Sequence, residues 1–413
     1  MDYWIINKKN DLIWFTGSAA FAYLLIASFW VLNDWLSIPQ VIAFTAVYFV
    51  FSFVFDGTHA FATYSRTYLD KDFWANNKPM LLGSLLLFAI GPALIFIGFA
   101  VAGEEQSRAI YIVMEKFFFT FAYYHLIRQH WGILALYRRK AQETDASSYW
   151  TDATLLAAAT LYPYLYLVVF NPKPILLGAG SPIEASTWHY TFLISLALLG
   201  ISFIAYTALR IYRRDDLNLV VSRNMIYIFA ASSLLLLLYN HKQLEIFLLG
   251  LMKLNLGIIG IAVLAFVYLA KKRTYPWSKV LFMLTVLLVH NTIPYLSESF
   301  ILIFMALTIF HNVQYHRIVW FHNQNRYNKG EDTKKFGIAS KLAGSLVLYA
   351  VVALLWNMFS TVPRYVILGA LDTQLLLYFL AAFFMGFPFH HYVLDALIWK
   401  SRGNKKLQNS LKV

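Results

Sequence analysis

Apolar runs about as long as a membrane-spanning helix follow one another along the whole chain, separated by short polar segments. A helix of about 20 residues crosses the hydrocarbon core of a bilayer. The pattern therefore predicts an all-α fold, a polytopic membrane bundle of about twelve transmembrane helices that forms a single domain. The predicted spans lie near residues 12–33, 38–56, 80–102, 109–137, 152–171, 188–212, 219–239, 244–270, 276–293, 296–320, 340–362 and 366–399.

Lysine and arginine are concentrated in every second segment between these spans, for example at 138–140 and 271–273. The intervening loops hold only Arg108, Lys173, Lys242 and Arg364. Positively charged residues collect in the cytoplasmic loops of membrane proteins. The asymmetry predicts that both termini are cytoplasmic. It also accounts for the formal net charge of +13, so no nucleic-acid partner is expected.

The composition restricts the chemistry that the chain can perform. Hydrophobic residues make up 60% and charged residues 13%, against about 25% charged residues in a soluble domain. The absence of cysteine excludes disulfides, thiolate metal sites and iron–sulfur clusters. Histidine and carboxylate remain as the strong metal ligands.

Most of the eleven histidines fall near the predicted cytoplasmic ends of four spans. Ionisable groups inside membrane spans are costly and usually line a functional cavity. We therefore predict one shared metal site, formed by His59, His125, His130, His311, His316, His390 and His391. His322 is the least secure neighbour of this set because it begins a polar loop. The histidines expected to remain remote, at the opposite ends of their spans, are His189, His241 and His290.

Two carboxylates share a helix face with these histidines. Asp56 lies three residues before His59, and Asp395 lies four residues after His391. A carboxylate in this position either binds the metal or accepts a hydrogen bond from the ligating ring.

Two pairs of histidines have the spacing H-x4-H, one near the end of span 4 and one near the end of span 10. Five residues at 100° each leave the rings of such a pair about 140° apart on a regular helix. Both rings can bind one centre only across a distortion such as a π-bulge. Alternatively, the second ring serves a neighbouring position.

Arginines lie beside the histidines in sequence, at Arg66, Arg128 and Arg317. A guanidinium group could hold the carboxylate or phosphate of a lipid, and positive-inside anchoring is the other interpretation. Arg128 is the stronger candidate because it lies between two of the histidines. The candidate catalytic residues are Asp56, Arg128 and Asp395.

The H-x4-H pair of His125 and His130, with the late pair of His390 and His391, resembles the histidine boxes of integral-membrane non-heme iron desaturases and hydroxylases. The resemblance implies an iron centre of one or two ions that activates O2 against a lipid C–H bond. It also implies a lipid-like substrate and a soluble electron donor. The chain departs from that family because it has no H-x2-H-H box and more spans than is usual there.

Two further likenesses accompany this one. The poly-histidine bundle is similar to the bacterial carotene-cleaving membrane oxygenases. The segments DGTHAFATYSRTYLD and YYHLIRQHWGILALYRRK look like those of a bacterial family of multi-pass membrane proteins. These likenesses imply a location in the bacterial inner membrane.

Other functions are compatible with the pattern. Imidazole and carboxylate ligands also suit copper, manganese or zinc, and zinc would support hydrolysis or transfer at a lipid headgroup. Twelve spans with a weak six-plus-six repeat are typical of a secondary transporter with a histidine-lined cavity. Facing histidines could instead hold a b-haem. The one-sided histidines favour the enzyme, since carriers bind near the membrane midplane.

Overall fold

The computed structural model describes residues 3–170, 241–272, 275–327, 333–369, 373–399 and 404–412. Every regular element in these ranges is a helix, which confirms the predicted all-α fold. The main helices are Lys8–Trp35 (α1), Gln40–Thr67 (α2), Lys71–Ser84 (α3), Leu87–Lys140 (α4), Ala146–Phe170 (α5), His241–Lys272 (α6), Trp277–Thr292 (α7), Phe300–Arg326 (α8), Ile338–Ala343 (α9), Leu346–Gly369 (α10), Gln374–Ile398 (α11) and Lys405–Leu411 (α12).

Six helical stretches among the described residues are long and apolar enough to cross a membrane, fewer than the twelve predicted. They are Lys8–Trp35, Gln40–Thr67, Lys71–Val101, Leu249–Lys272, Trp277–Tyr295 and Gln374–Ile398. Such a set is compatible with an integral membrane protein. The predicted spans at 188–212 and 219–239 lie outside the described residues. α5 and α8 cover two further predicted spans but are not among the six.

The chain reverses direction within α4 at Gly103. The Ser107 hydroxyl donates a hydrogen bond to the Ile95 carbonyl at 3.1 Å. These residues would be about 18 Å apart along a straight helix. Gly103 has a φ of 78°, which a residue without Cβ adopts at little cost. The arm before Gly103 covers most of the predicted span 80–102. The arm after it covers the predicted span 109–137.

A π-helical segment at Phe51–Asp56 interrupts α2 just before its histidine. A π turn holds an extra residue, so it changes the direction in which the following side chains project. Asn357 on α10 donates to the Ser52 carbonyl at 2.9 Å and therefore supports the widened turn. Gly57 lies against the Asn357 side chain, where an added Cβ would collide with it. The π segment thus sets the orientation of His59 and Thr63.

α8 lies at the centre of the bundle. Its side chains are buried along most of its length, and its apolar residues Leu302, Ala306 and Phe310 belong to the largest core cluster. α8 packs against α1, α2, α4 and α12, while α11 packs along α4. Polar residues on α8 therefore face other helices and are removed from lipid.

Four charged side chains connect α4, α5 and α7. The fully buried Lys279 ammonium lies 2.9 Å from both Asp152 Oδ2 and Glu143 Oε2. Arg138 pairs with the same two carboxylates. Two cations and two anions balance, which is the condition under which charges are tolerated in an interior.

Candidate metal centre

Four helices bring buried imidazole rings together at one place. His59 (α2) has its ring centroid 4.9 Å from that of His311 (α8) and 4.5 Å from that of His391 (α11). His125 (α4) lies 5.4 Å from His391 and 5.9 Å from His311. All four are at most 8% exposed. We call these four rings and the neighbouring Asp395 carboxylate the histidine cluster.

The potential ligand atoms of the cluster are close enough to share a metal ion. One nitrogen each from His59, His125 and His311 lie within 4.8 Å of one another, and so do atoms of His125, His391 and Asp395. Two ligands about 2.1 Å from a metal are at most about 4.2 Å apart. Ring shifts of less than about 1 Å would bring either set to coordination distance. The two sets share His125.

Several ring nitrogens of the cluster have no hydrogen-bond partner within the described part of the chain. They are Nδ1 of His59, both nitrogens of His311 and Nε2 of His391. Buried polar atoms are almost always hydrogen-bonded, because leaving one unpaired costs about 1–3 kcal/mol. A metal ion would satisfy their lone pairs.

Thr63 determines which nitrogen of His391 carries the proton. The Thr63 hydroxyl donates to Asp395 Oδ1 at 2.5 Å, and Tyr315 donates to the same oxygen at 2.6 Å. The Thr63 oxygen then accepts from Nδ1–H of His391 at 2.7 Å. This network assigns the free lone pair to Nε2 of His391, the nitrogen without a partner.

We expect Thr63→Val to weaken metal binding by about 10–100-fold, because the residues that orient a ligating ring contribute that much to affinity. Valine keeps the shape of the side chain but removes the hydroxyl. The measurement is a titration of the purified protein against a competing chelator. Thr67→Val is a matched control, since its hydroxyl lies one turn further along α2 and donates to the Thr63 carbonyl at 2.9 Å. Equal affinities in the two variants would contradict the assigned network.

The Asp395 carboxylate is buried and carries a charge that a cation would balance. Among the described residues no lysine or arginine forms an ion pair with it, and the unprotonated Nε2 of His391 lies 3.7 Å from Oδ2. Gln129 donates to Asp395 Oδ2 at 2.8 Å and lies 3.3 Å from Nε2 of His125. Buried carboxylates are usually paired with a cation or bound to a metal. Imidazole and carboxylate together fit iron, manganese, copper or zinc.

Two predicted ligands lie away from the cluster. His390 is next to His391 in sequence, but successive residues on a helix point about 100° apart. Its Nε2 is 2.8 Å from the Ser84 hydroxyl and 3.1 Å from the Tyr68 hydroxyl. His316 lies at the edge, with its ring 6.2 Å from that of His59. Its Nε2 is 3.1 Å from the Thr58 hydroxyl. Both rings have hydrogen-bond partners, unlike the His311 ring, neither of whose nitrogens has one among the described residues.

The two further predicted catalytic residues are exposed. Arg128 lies on the exposed side of α4. The neighbouring Gln129 makes the contact with the cluster. The structure thus does not bring Arg128 to the site. Asp56 is also exposed, at the end of the π segment, but it is close enough to His391 to interact with it electrostatically.

His130 belongs to a second group of rings beside the cluster. The Gln314 amide donates to the Phe15 carbonyl at 2.9 Å, so its oxygen accepts from Nδ1–H of His130 at 3.1 Å. The His130 ring lies 5.2 Å from His290 and 5.9 Å from His311. As the 140° rotation implies, His130 and His125 point in different directions.

The expectation that His290 is remote was wrong. His290 is fully buried and packs edge-on against His130. It lies in the last turn of the short helix α7, and its Nδ1 is 2.9 Å from the Tyr123 hydroxyl of α4. His189 lies outside the described residues, and so does the side chain of His241.

The residues that support the ligands share one sequence relation. Thr63 follows His59 by four positions, Gln129 follows His125 by four and Tyr315 follows His311 by four. Residues four apart lie on the same helix face. Extending the spacing that identified Asp395 to every histidine would have found all three.

Comparison of the chain with protein-family models, with curated proteins and with solved structures found no match. The resemblance to histidine-box oxygenases therefore stays a prediction, carried by short motifs.

Proposed function

We propose that this protein is a membrane-embedded metalloenzyme that binds iron at the histidine cluster and uses O2 to oxidise a lipid-like substrate. The buried ring nitrogens without partners, contributed by three helices beside a buried carboxylate, carry the proposal. When bound, iron would provide the chemistry that activates O2. Its ligands would come from the cluster residues His59, His125, His311, His391 and Asp395.

The overall reaction sets what the protein must receive. Hydroxylation converts R–H, O2, two protons and two electrons into R–OH and water. Desaturation takes the same protons and electrons and yields an alkene and two waters. Cleavage of a double bond by both oxygen atoms needs no external electrons. For the first two reactions we propose a soluble electron donor on the cytoplasmic side.

The proposed arrangement in the membrane has twelve spans with both termini in the cytoplasm, in the bacterial inner membrane. The alternation of lysine-rich and arginine-rich loops supports it. This topology would place the cluster in the cytoplasmic half of the bilayer, within reach of both a lipid and a soluble donor.

Side chains around the cluster have separate roles in this proposal. Thr63 and Tyr315 hold Asp395. Thr63 also orients His391 directly, by accepting from its Nδ1–H. Gln129 holds the other carboxylate oxygen. Asp56 is exposed beside His391 and is positioned to pass protons between the surroundings and the cluster. Arg128 has no part in it.

The test is to purify the protein in detergent without added metal and to measure bound elements. The same sample is then incubated with a membrane-lipid extract, a chemical reductant and isotopically labelled O2. We expect bound iron, together with either label incorporated into a lipid product or an O2-dependent new double bond. His311→Ala serves as the inactive reference. Zinc with a hydrolysed lipid would contradict oxidation, and a metal-free protein would favour the transporter.

A further inference from the structure

Arg66 is a buried cation that lacks a carboxylate partner within the described residues. Its side chain lies on α2, one turn after Thr63, and is only 5% exposed. The guanidinium group stacks on the Trp399 ring at 3.9 Å. Stacking occupies the face of the group but leaves its N–H edge free. Its Nε and Nη1 atoms have no hydrogen-bond partner in the part of the chain that the structure describes.

A cavity of about 500 Å³ opens beside this guanidinium group, between α2, α3, α8, α11 and α12. Phe73, Met80 and Leu397 form apolar parts of its wall, and Arg66 and His322 are among its polar lining. Polar groups of the wall thus meet an apolar surface on which an acyl chain can lie.

The acidic residues of the same wall are already engaged. Asp70 caps α3 by accepting from the Phe73 backbone N–H at 3.0 Å, and it also accepts from the Tyr327 hydroxyl at 2.8 Å. Asp72 lies 3.3 Å from Arg326 and 3.8 Å from Lys406. Among the described residues of this wall, Arg326 and Lys406 lie beside these two carboxylates, so the charge of Arg66 is left for a ligand to neutralise.

His322 offers a second unsatisfied group in this wall. The Ser410 hydroxyl donates to the Leu407 carbonyl at 2.8 Å, so it accepts from Nδ1–H of His322 at 2.7 Å. This leaves the lone pair on Nε2, which is buried and has no partner among the described residues. It can accept a hydrogen bond from a protonated phosphate oxygen or a hydroxyl group.

We infer that this cavity binds an oxyanion, a carboxylate or a phosphate, through the guanidinium group of Arg66. Guanidinium groups form short, charge-assisted hydrogen bonds with both anions. The oxyanion belongs either to a membrane amphiphile or to a soluble compound from the cytoplasmic side. His322 sits where it can bond a second polar atom of the same group.

The cavity adjoins the histidine cluster through two aromatic side chains. Trp399, on which Arg66 stacks, donates from Nε1 to the Tyr315 hydroxyl at 3.1 Å. Tyr315 in turn donates to Asp395. If the cluster oxidises a lipid-like substrate, as in the proposed function on which this assignment rests, the oxyanion is the polar end of that substrate. An anionic amphiphile would be held by its head beside the metal centre.

The test measures binding to the purified full-length protein by calorimetry, independently of activity. The probes are inorganic phosphate, a single-chain lysophosphatidate, a long-chain fatty acid and a neutral monoacylglycerol. We expect Arg66→Gln to weaken binding of the oxyanion probes by about tenfold or more, the loss of a charged hydrogen-bond partner, and to leave the neutral probe unchanged. Arg66→Lys, which keeps the charge but not the fork, should give an intermediate loss.

Arg317→Gln is the matched control, because Arg317 lies outside the cavity and donates to the Asn10 side chain at 2.8 Å. Binding within about threefold of wild type is expected there. Tight lysophosphatidate binding that phosphate does not reproduce identifies a lipid headgroup, and equal binding of phosphate identifies a soluble anion. Equal affinity of Arg66→Gln, Arg66→Lys and wild type for every oxyanion would overturn the inference.

Bound metal measured in the same samples separates the two proposals. A wild-type protein without metal that still binds oxyanions through Arg66 refutes the metalloenzyme and keeps the oxyanion site. A metal-loaded protein whose oxyanion affinity ignores Arg66 refutes only the oxyanion site.

Discussion

His391→Ala is expected to lower the bound metal by at least about tenfold, whereas His390→Ala leaves it unchanged. The two histidines are adjacent on α11, at the same depth and both buried. His391 directs a free Nε2 lone pair into the cluster, and His390 is bonded to Ser84 and Tyr68 on the other side of the helix. Any general effect of losing an imidazole from α11 should appear in both variants.

Elemental analysis of the two variants, purified in parallel in detergent, measures the difference. His390→Ala should lose about 1 kcal/mol of stability for its broken hydrogen bonds and keep its metal. A reduced metal content in His390→Ala, with a normal content in His391→Ala, would contradict the prediction, because the centre would then lie on the His390 side of α11.

The sequence predicted which histidines lie at the same level along their helices, but not which of them point toward the cluster. Sorting histidines to one side of the membrane correctly brought together His59, His125, His311 and His391. Depth cannot separate His391 from His390, because the two differ by one residue and about 100° of rotation. For the pair of His311 and His316, the 140° separation allows both rings at one centre only across a distortion, yet both were predicted as ligands. That angle was a better guide than the motif.

Other features depend on tertiary packing that the pattern of residues does not record. The π segment at Phe51–Asp56 lies in an ordinary apolar run, and the amide that supports it comes from Asn357, some 300 positions later in the chain. Likewise, His290 was assigned to the opposite side because its span was assumed to cross the whole bilayer. Its contact with His130 follows from how α7 packs against α4.

The roles of Arg66 and Arg128 also depend on packing that the sequence does not show. From its place in the sequence, positive-inside anchoring was at least as good an interpretation of Arg66 as anion binding. Burial, stacking on Trp399 and the lack of an acidic partner among the described residues distinguish the two. Arg128 was preferred from its place between two histidines, yet its side chain is exposed.

Asp152→Ala is expected to reduce the free energy of unfolding by about 3–5 kcal/mol, the usual cost of removing one partner from a buried ion pair. Asp152 is fully buried on α5 and accepts from Lys279 on α7 and from Arg138 on α4. Without it, Glu143 alone balances two cations, one of which is fully buried. The measurement is reversible unfolding by denaturant in mixed micelles.

Asp145→Ala is the matched control for this loss, because its carboxylate accepts from the Ser148 backbone N–H at 2.7 Å near the start of α5. Loss of a cap costs about 1 kcal/mol. A paired replacement, Asp152→Leu with Lys279→Met, should recover part of the stability, since apolar residues of similar volume tolerate burial better than an unbalanced charge. If Asp152→Ala costs no more than Asp145→Ala, the charges of this network are screened by water and do not hold the three helices together.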